Sequence, residues 1–175
     1  MYNLTENYLT NVDEVLTLAK KYDHLFRLKG KDGEPFATEY GDASLKQFQY
    51  YNMPQDMVDA IFKTIPDRYT DRLTFCINKY EAGDHIPRHK DSMGLYWKFK
   101  CIFLTNGNPH FKYWDEDDNE HLVQEKAGAL FNMKLGTPHA VTEIQEGEES
   151  KYSLCIMQGL DTNVRVEFEN RRKVA

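Results

Sequence analysis

Two histidines and an aspartate are the residues of this chain whose types and spacing best suit chemistry. His89 and Asp91 stand two residues apart in the charged segment NKYEAGDHIPRHKDS (78–92), and His139 follows a Gly-Thr-Pro turn further along. On an extended strand, residues two apart point to the same side, so an imidazole and a carboxylate can face one point. Imidazole and carboxylate groups are common ligands of transition metals. The pattern therefore predicts a metal site formed by His89, Asp91 and His139.

Other interpretations of this segment lead to less specific chemistry. His85 and His89 have the spacing of a zinc-binding pair on a helix, but Pro87 and the neighbouring Gly83 argue against a helix there. A charged surface loop without function is the other alternative. The downstream His139, at the start of an apolar stretch, favours the metal site.

A lysine and a serine give the metal site a second component. Lys151 opens the otherwise apolar stretch KYSLCIMQ, and Ser153 lies on the same side of an extended chain. Two imidazoles and one carboxylate form the facial triad typical of non-haem Fe(II) oxygenases, which leaves three positions open. A buried lysine needs an anionic partner, and dianionic 2-oxoglutarate would provide one.

Three segments in the expected order carry a family resemblance. NKYEAGDHIPRHKD, then GALFNMKLGTPHAV, then KYS resemble the 2-oxoglutarate/Fe(II)-dependent dioxygenase superfamily, over roughly residues 72–158. The resemblance implies that the three predicted metal ligands hold Fe(II) and that Lys151 with Ser153 binds the distal carboxylate of 2-oxoglutarate. It also implies that Tyr80 and Asn78 hydrogen-bond this co-substrate. No catalytic residue beyond the metal ligands is expected.

Within the superfamily, the chain is most similar to the prolyl and the aspartyl/asparaginyl (amino-acid) hydroxylases. Lys98 and Lys100 stand at two basic positions of the element that follows the H-x-D pair in the second group. Lysine lacks the bidentate fork of arginine, which weakens this match. The sequence leaves open whether Lys98, Lys100 or Lys151 binds the distal carboxylate.

The resemblance implies an oxidoreductase that uses Fe(II), 2-oxoglutarate and dioxygen to hydroxylate a C–H bond. The expected substrate is a peptidyl residue or a free amino acid, and succinate and carbon dioxide are the expected co-products. Three alternatives remain: an alkylated-nucleobase demethylase of the same superfamily, a non-catalytic cupin-like module that binds a metal or ligand, and a zinc hydrolase. Neither of the last two needs Lys151 together with Ser153.

The elements that must position these residues are mainly strands. Two amphipathic helices are predicted near the N-terminus, at 11–22 and 54–66. From residue 72 onward, about eight short alternating strands are separated by turns rich in glycine, asparagine and aspartate. The predicted fold is therefore mainly β with N-terminal helices, a double-stranded β-helix or jelly roll. Residues 1–71 would be helical support, with 30–52 a mixed loop and short strand that could form a lid, and 72–170 the jelly-roll core.

Composition limits the alternatives further. A chain of 175 residues suits one domain, and its net charge of −6 counts against broad binding to nucleic acid or anionic membranes. The three cysteines lie in apolar stretches, as expected of buried thiols in a reducing compartment. The first ten residues contain no basic segment followed by an apolar one, so no signal peptide is expected. The expected location is the cytoplasm.

Overall fold

A computed structural model describes residues 3–29, 36–66, 73–91, 96–134 and 136–159. The helices are α1 (Val12–Lys21) and α2 (Gln55–Ile61), with short 3-10 turns at Asp23–Leu25 and Tyr50–Asn52. The strands are β1 (Asn3–Thr5), β2 (Arg27–Leu28), β3 (Phe36–Thr38), β4 (Gly41–Ala43), β5 (Lys46–Gln49), β6 (Leu73–Tyr80), β7 (Ile86–His89), β8 (Tyr96–Phe103), β9 (Phe111–Trp114), β10 (Glu120–Leu122), β11 (Leu130–Asn132), β12 (His139–Val141) and β13 (Lys151–Gly159).

The strands form two antiparallel sheets and one hairpin. The large sheet has the order β1-β11-β8-β13-β6-β5-β2, and the small sheet has the order β10-β9-β12-β7. Strands β3 and β4 form a separate hairpin. Strands that are neighbours in space are mostly distant in sequence, as in a jelly roll. The predicted fold class is therefore confirmed.

Strand β6 lies in the middle of the large sheet and is buried on both faces. Leu73, Phe75 and Ile77 point toward the helices and pack in a cluster with α1 and α2. Cys76 and Tyr80 point the other way, into a second cluster between the two sheets. Because strand side chains alternate, one strand supplies both cores, and its second face lines the cavity between the sheets.

The two helices cover one face of the large sheet and pack against its core. Val15 and Ala19 of α1 and Met57 and Ile61 of α2 are fully or almost fully buried. Asn11 stands at the N-cap position of α1, as the sequence predicts, but its side chain does not cap the helix. Its amide instead donates to the carbonyl oxygen of Ala60 at 2.9 Å, so it joins the two helices.

The N-terminal third contributes more strand than the sequence suggests. Strands β1, β2 and β5 all belong to the large sheet, and β5 pairs along β6. The segment 30–52 therefore includes a sheet strand, while the β3–β4 hairpin lies next to β7: a Cβ at Gly41 would stand 3.7 Å from the ring of Pro87. The predicted strand at 164–170 lies outside the described residues. A lid role for residues 30–52 remains a prediction.

Among the described residues, none of the helices has the length and apolar character needed to cross a membrane.

Candidate metal centre

A bulge in β7 brings His89 to the inner side of the small sheet. His89 pairs with His139 of β12, and Ile86 pairs with Val141, so three steps along β7 oppose two along β12. An extra residue in one strand re-aims the side chains around it. Both Ile86 and His89 consequently line the cavity between the sheets. Asp91 follows just beyond the end of β7 and lines the same cavity.

The predicted metal ligands are brought together. Possible ligand atoms of His89, Asp91 and His139 all lie within 4.8 Å of one another. The Nε2 atom of His139 is 3.4 Å from Oδ2 of Asp91, and Nε2 of His89 is 3.8 Å from Oδ1 of the same carboxylate. The two imidazole rings are 4.2 Å apart between centroids.

Backbone carbonyl groups fix the tautomer of both histidines. Nδ1 of His89 is 2.9 Å from the carbonyl oxygen of Pro87, and Nδ1 of His139 is 2.9 Å from that of Thr137. Since a carbonyl oxygen only accepts, each Nδ1 carries the proton and donates it. In the neutral imidazoles, Nε2 is then the unprotonated acceptor aimed at the site, the arrangement usual for metal-binding histidines.

The two Nε2 atoms and the Asp91 carboxylate are then all hydrogen-bond acceptors, and they face one another. Oδ2 of Asp91 is buried and has no hydrogen-bond partner within the described part of the chain. Burial and then the nearby His139 are the main causes that lower the pKa of His89 to about 4, so neither effect favours an imidazolium ion there. A divalent cation would satisfy the two Nε2 atoms and the carboxylate together, and these three residues fit Fe(II).

The inner face of the large sheet forms the opposite wall of the cavity. Strand alternation and register place Tyr80, Asn78 and Ser153 on this wall, where Ser153 pairs directly with Asn78. Tyr80 is hydrogen-bonded to Ser153, and burial raises the pKa of the Tyr80 phenol well above its usual value. The Asn78 amide accepts from Gln47 at 2.8 Å and donates to Sγ of Cys155 at 3.4 Å. These predicted co-substrate residues therefore lie in the metal cavity.

The three cysteines form one row across this wall. Cys155 of β13 pairs with Cys76 of β6 on one side and with Cys101 of β8 on the other. All three are buried free thiols, as the sequence predicts. Neighbouring thiols and burial raise the pKa values of Cys76 and Cys155, so the row gives the cavity a neutral, weakly polar surface.

Lys151 lines the cavity at the first position of β13 and is 8% exposed. Its ammonium contacts the carboxylate of Glu125, which the sequence analysis did not single out. Burial lowers the pKa of Lys151 to about 8. In the stretch HLVQEK (121–126), Val123 and Glu125 lie on one side of an extended chain, but this spacing alone does not distinguish a buried glutamate from a solvated one.

Lys100 is not grouped with Lys151. Lys100 of β8 alternates with the cavity-lining Phe99 and Cys101 and points to the helix face, where its Nζ donates to the hydroxyl of Tyr8 at 2.8 Å. The expectation that Lys100 binds the co-substrate therefore conflicts with its direction along the strand. The side chain of Lys98 lies outside the described residues.

No protein-family model and no curated protein matches the chain. Solved structures do match. A prolyl-4-hydroxylase from Pseudomonas putida superposes with a TM-score of 0.60 and 17% identity over 90% of this chain and 92% of its own. A prolyl hydroxylase from Trichoplax adhaerens, in complex with a hypoxia inducible factor oxygen degradation domain peptide fragment, superposes with a TM-score of 0.68. Its identity is 10%, over 99% of this chain and 86% of its own.

A third similar structure is an oxidoreductase of the 2OG-Fe(II) oxygenase family from Burkholderia pseudomallei. Its TM-score is 0.60 at 12% identity, over 90% of this chain and 85% of its own. At such identities the likeness concerns the path of the backbone. The chain has the jelly-roll fold found in 2-oxoglutarate/Fe(II) oxygenases, with a His-Asp-His cluster inside it.

Proposed function

We propose that this protein is a 2-oxoglutarate- and Fe(II)-dependent dioxygenase that hydroxylates a C–H bond of a peptidyl residue or a free amino acid. The observation that carries the proposal is the cluster of His89, Asp91 and His139, whose Nε2 and carboxylate acceptors converge in a cavity. Fe(II) with 2-oxoglutarate and dioxygen, when bound, supplies the C–H oxidation and yields succinate and carbon dioxide.

The cavity supports 2-oxoglutarate as the co-substrate. A dianion needs a metal at its keto-acid end and a cation at its distal end. Lys151, within the same cavity as the triad, supplies that cation, and the hydroxyl groups of Ser153 and Tyr80 supply hydrogen bonds beside it. Lys151 and Tyr80 are paired residues on neighbouring strands, so both groups act at one end of the cavity.

The protein's own contribution is positioning and exclusion of water. Phe99 and Phe111 surround the His139 ring, with centroid distances of 6.1 and 5.8 Å. Apolar walls of this kind shield a reactive metal centre from side reactions with water. No protein nucleophile or general base is needed for the reaction.

The amino-acid or peptide substrate is supported by the neighbours in the structure comparison. Two of them are prolyl hydroxylases, and one of these binds a peptide. The net charge of −6 fits a nucleic-acid substrate less well, which makes the nucleobase demethylase the weaker candidate.

The test is turnover of 2-oxoglutarate with a panel of peptides and free amino acids. Purified protein with Fe(II), ascorbate and 2-oxoglutarate should form succinate, and a substrate should gain the mass of one oxygen atom. Asp91→Ala serves as the matched inactive protein. A nucleobase that loses its alkyl group while every peptide and amino acid stays unchanged would favour the demethylase. Absence of succinate with all substrates would favour a binding module.

A further inference from the structure

Lys151, which lines the cavity, already has a buried anionic partner. The Oε2 atom of Glu125 contacts the Lys151 ammonium, and the two side chains are 1% and 9% exposed. Its other oxygen, Oε1, accepts hydrogen bonds from the backbone N–H groups of His110 at 2.8 Å and Phe111 at 2.7 Å. Moving Glu125 away would leave two buried donors without an acceptor, so the carboxylate is fixed in place.

The charge of this pair limits what it can bind. Lys151 and Glu125 together hold one titratable proton and have no net charge. A distal carboxylate that arrives at Lys151 would place two carboxylates around one ammonium in a buried site. Two carboxylates that share such a site do not both stay ionised.

We propose that Glu125 takes up a proton when the distal carboxylate of 2-oxoglutarate binds at Lys151, and that Glu125 thereby sets both the strength and the pH dependence of co-substrate binding. This inference rests on the proposed function. The proton comes from the solvent and forms an O–H bond at Oε2 of Glu125. That hydroxyl then donates to one oxygen of the incoming carboxylate, while the Lys151 ammonium donates to the other.

The other charged groups near the pair do not change partners in this step. His89, Asp91 and His139 hold the metal and are unprotonated at their ligand atoms before 2-oxoglutarate arrives. Lys29 also lines the cavity. On the other side of Lys151 lie three further groups: His110, Glu148 and Glu149. Nε2 of His110 is 3.0 Å from Glu148, outside the metal cavity.

Calorimetry of 2-oxoglutarate binding tests the inference without turnover. Protein loaded with Mn(II) in place of Fe(II) is titrated at neutral pH in two buffers that differ in heat of ionisation, which gives the number of protons taken up. The wild-type protein should take up about one proton, and its affinity should fall by up to about tenfold per pH unit toward alkaline pH. Glu125→Gln should take up almost none and bind about tenfold tighter or more.

A second glutamate provides the matched control. Glu81 also pairs with lysines, at 2.5 Å from Lys46 and 2.8 Å from Lys79, but neither of these lysines lines the cavity, whereas the partner of Glu125 does. Glu81→Gln should bind 2-oxoglutarate as the wild type does and take up the same number of protons. Glu125→Gln keeps an acceptor for the two backbone N–H groups, and circular dichroism checks its fold.

Each outcome separates the inference from the function on which it rests. If the Mn(II) protein binds 2-oxoglutarate with no proton uptake, the role of Glu125 is wrong and the dioxygenase proposal stands. Equal or weaker binding by a folded Glu125→Gln protein would likewise overturn the role of Glu125 alone. If the Mn(II) protein does not bind 2-oxoglutarate at all, both are wrong. Should Glu125→Gln fail to fold, the proton count and pH series of the wild type decide.

Discussion

At the scale of single residues, the site depends on which nitrogen of each histidine carries its proton. The carbonyl groups of Pro87 and Thr137 accept from Nδ1 of His89 and His139, so in the neutral imidazoles the unprotonated nitrogen is Nε2. Both carbonyl groups belong to the residue two positions before the histidine. The local chain therefore sets the tautomer that metal binding requires.

Lys151 gives a prediction at this scale. Lys151→Met should weaken 2-oxoglutarate binding by about tenfold or more, because a charge-assisted contact contributes roughly 1.5–3 kcal/mol. Metal affinity should change little. Lys100→Met is the control, since Lys100 contacts Tyr8 on the opposite face of the sheet and should leave binding unchanged. Titration of 2-oxoglutarate into the Mn(II)-loaded form of each variant measures the affinity for 2-oxoglutarate in both.

Lys151→Met also removes the cation that pairs with Glu125, so a loss of stability could imitate a loss of contact. The double variant Lys151→Met/Glu125→Gln removes both charges and avoids the unpaired carboxylate. It should remain folded and still bind 2-oxoglutarate weakly. Wild-type affinity in the double variant would mean that the distal carboxylate binds elsewhere.

Residue types and order were sufficient to predict the triad, because ligand chemistry restricts which side chains can serve. Glu125 was missed for the opposite reason. A glutamate in a charged sequence is usually solvated, and only its contacts with Lys151 and two backbone donors distinguish it. The direction of Lys100 depends on which face of β8 lines the cavity, and the sequence does not state this.

At the scale of elements, β6 and β7 have different roles. The regular alternation of β6 divides its side chains between two cores, and the bulge in β7 turns His89 inward. Alternation in β6 could be predicted from the sequence. The bulge could not, because it depends on how β7 pairs with β12. The short strands β1 and β2 were also missed, since they are too short to show a period.

Gly128 gives a prediction at the element scale. It precedes β11 with a φ of +82°, and an added Cβ would lie 2.6 Å from the carbonyl oxygen of Leu9, which follows β1. Gly128→Ala should lower the free energy of unfolding by roughly 2–4 kcal/mol, because backbone strain and a steric clash combine. Urea denaturation monitored by circular dichroism measures this change.

The control for this prediction is Gly83, which has a similar φ of +88° but no atom within 4 Å of an added Cβ. Gly83→Ala should lower the free energy of unfolding only by the cost of backbone strain, roughly 1–2 kcal/mol. Equal losses in the two variants would show that the contact between Gly128 and Leu9 is unimportant.

At the scale of the whole molecule, the unprotonated ligand atoms of the site lower the stability of the metal-free protein at acidic pH. The pKa of His89 is about 4 in the folded protein, below the value of 6.5 for an unperturbed histidine. Between these pH values the unfolded chain binds a proton at His89 and the folded protein does not. The free energy of unfolding should therefore decrease as the pH falls from 6.5 toward 4.

Urea denaturation of the metal-free protein across this pH range checks the expectation. His89→Gln removes the titrating group and should show a shallower decrease than the wild type. Identical slopes in the two proteins would contradict the low pKa of His89. Saturating divalent metal should raise stability, because it binds only the folded triad.

The central claim is that His89, Asp91 and His139 hold Fe(II) in a cavity that also takes 2-oxoglutarate. The most direct measurement is the visible spectrum of the protein after anaerobic addition of Fe(II) and then 2-oxoglutarate. The wild-type protein should develop the weak charge-transfer band of the chelate, and His89→Ala, Asp91→Ala and His139→Ala should not, with unchanged circular dichroism. A full band in any of the three variants, or none in the wild type, would contradict the account.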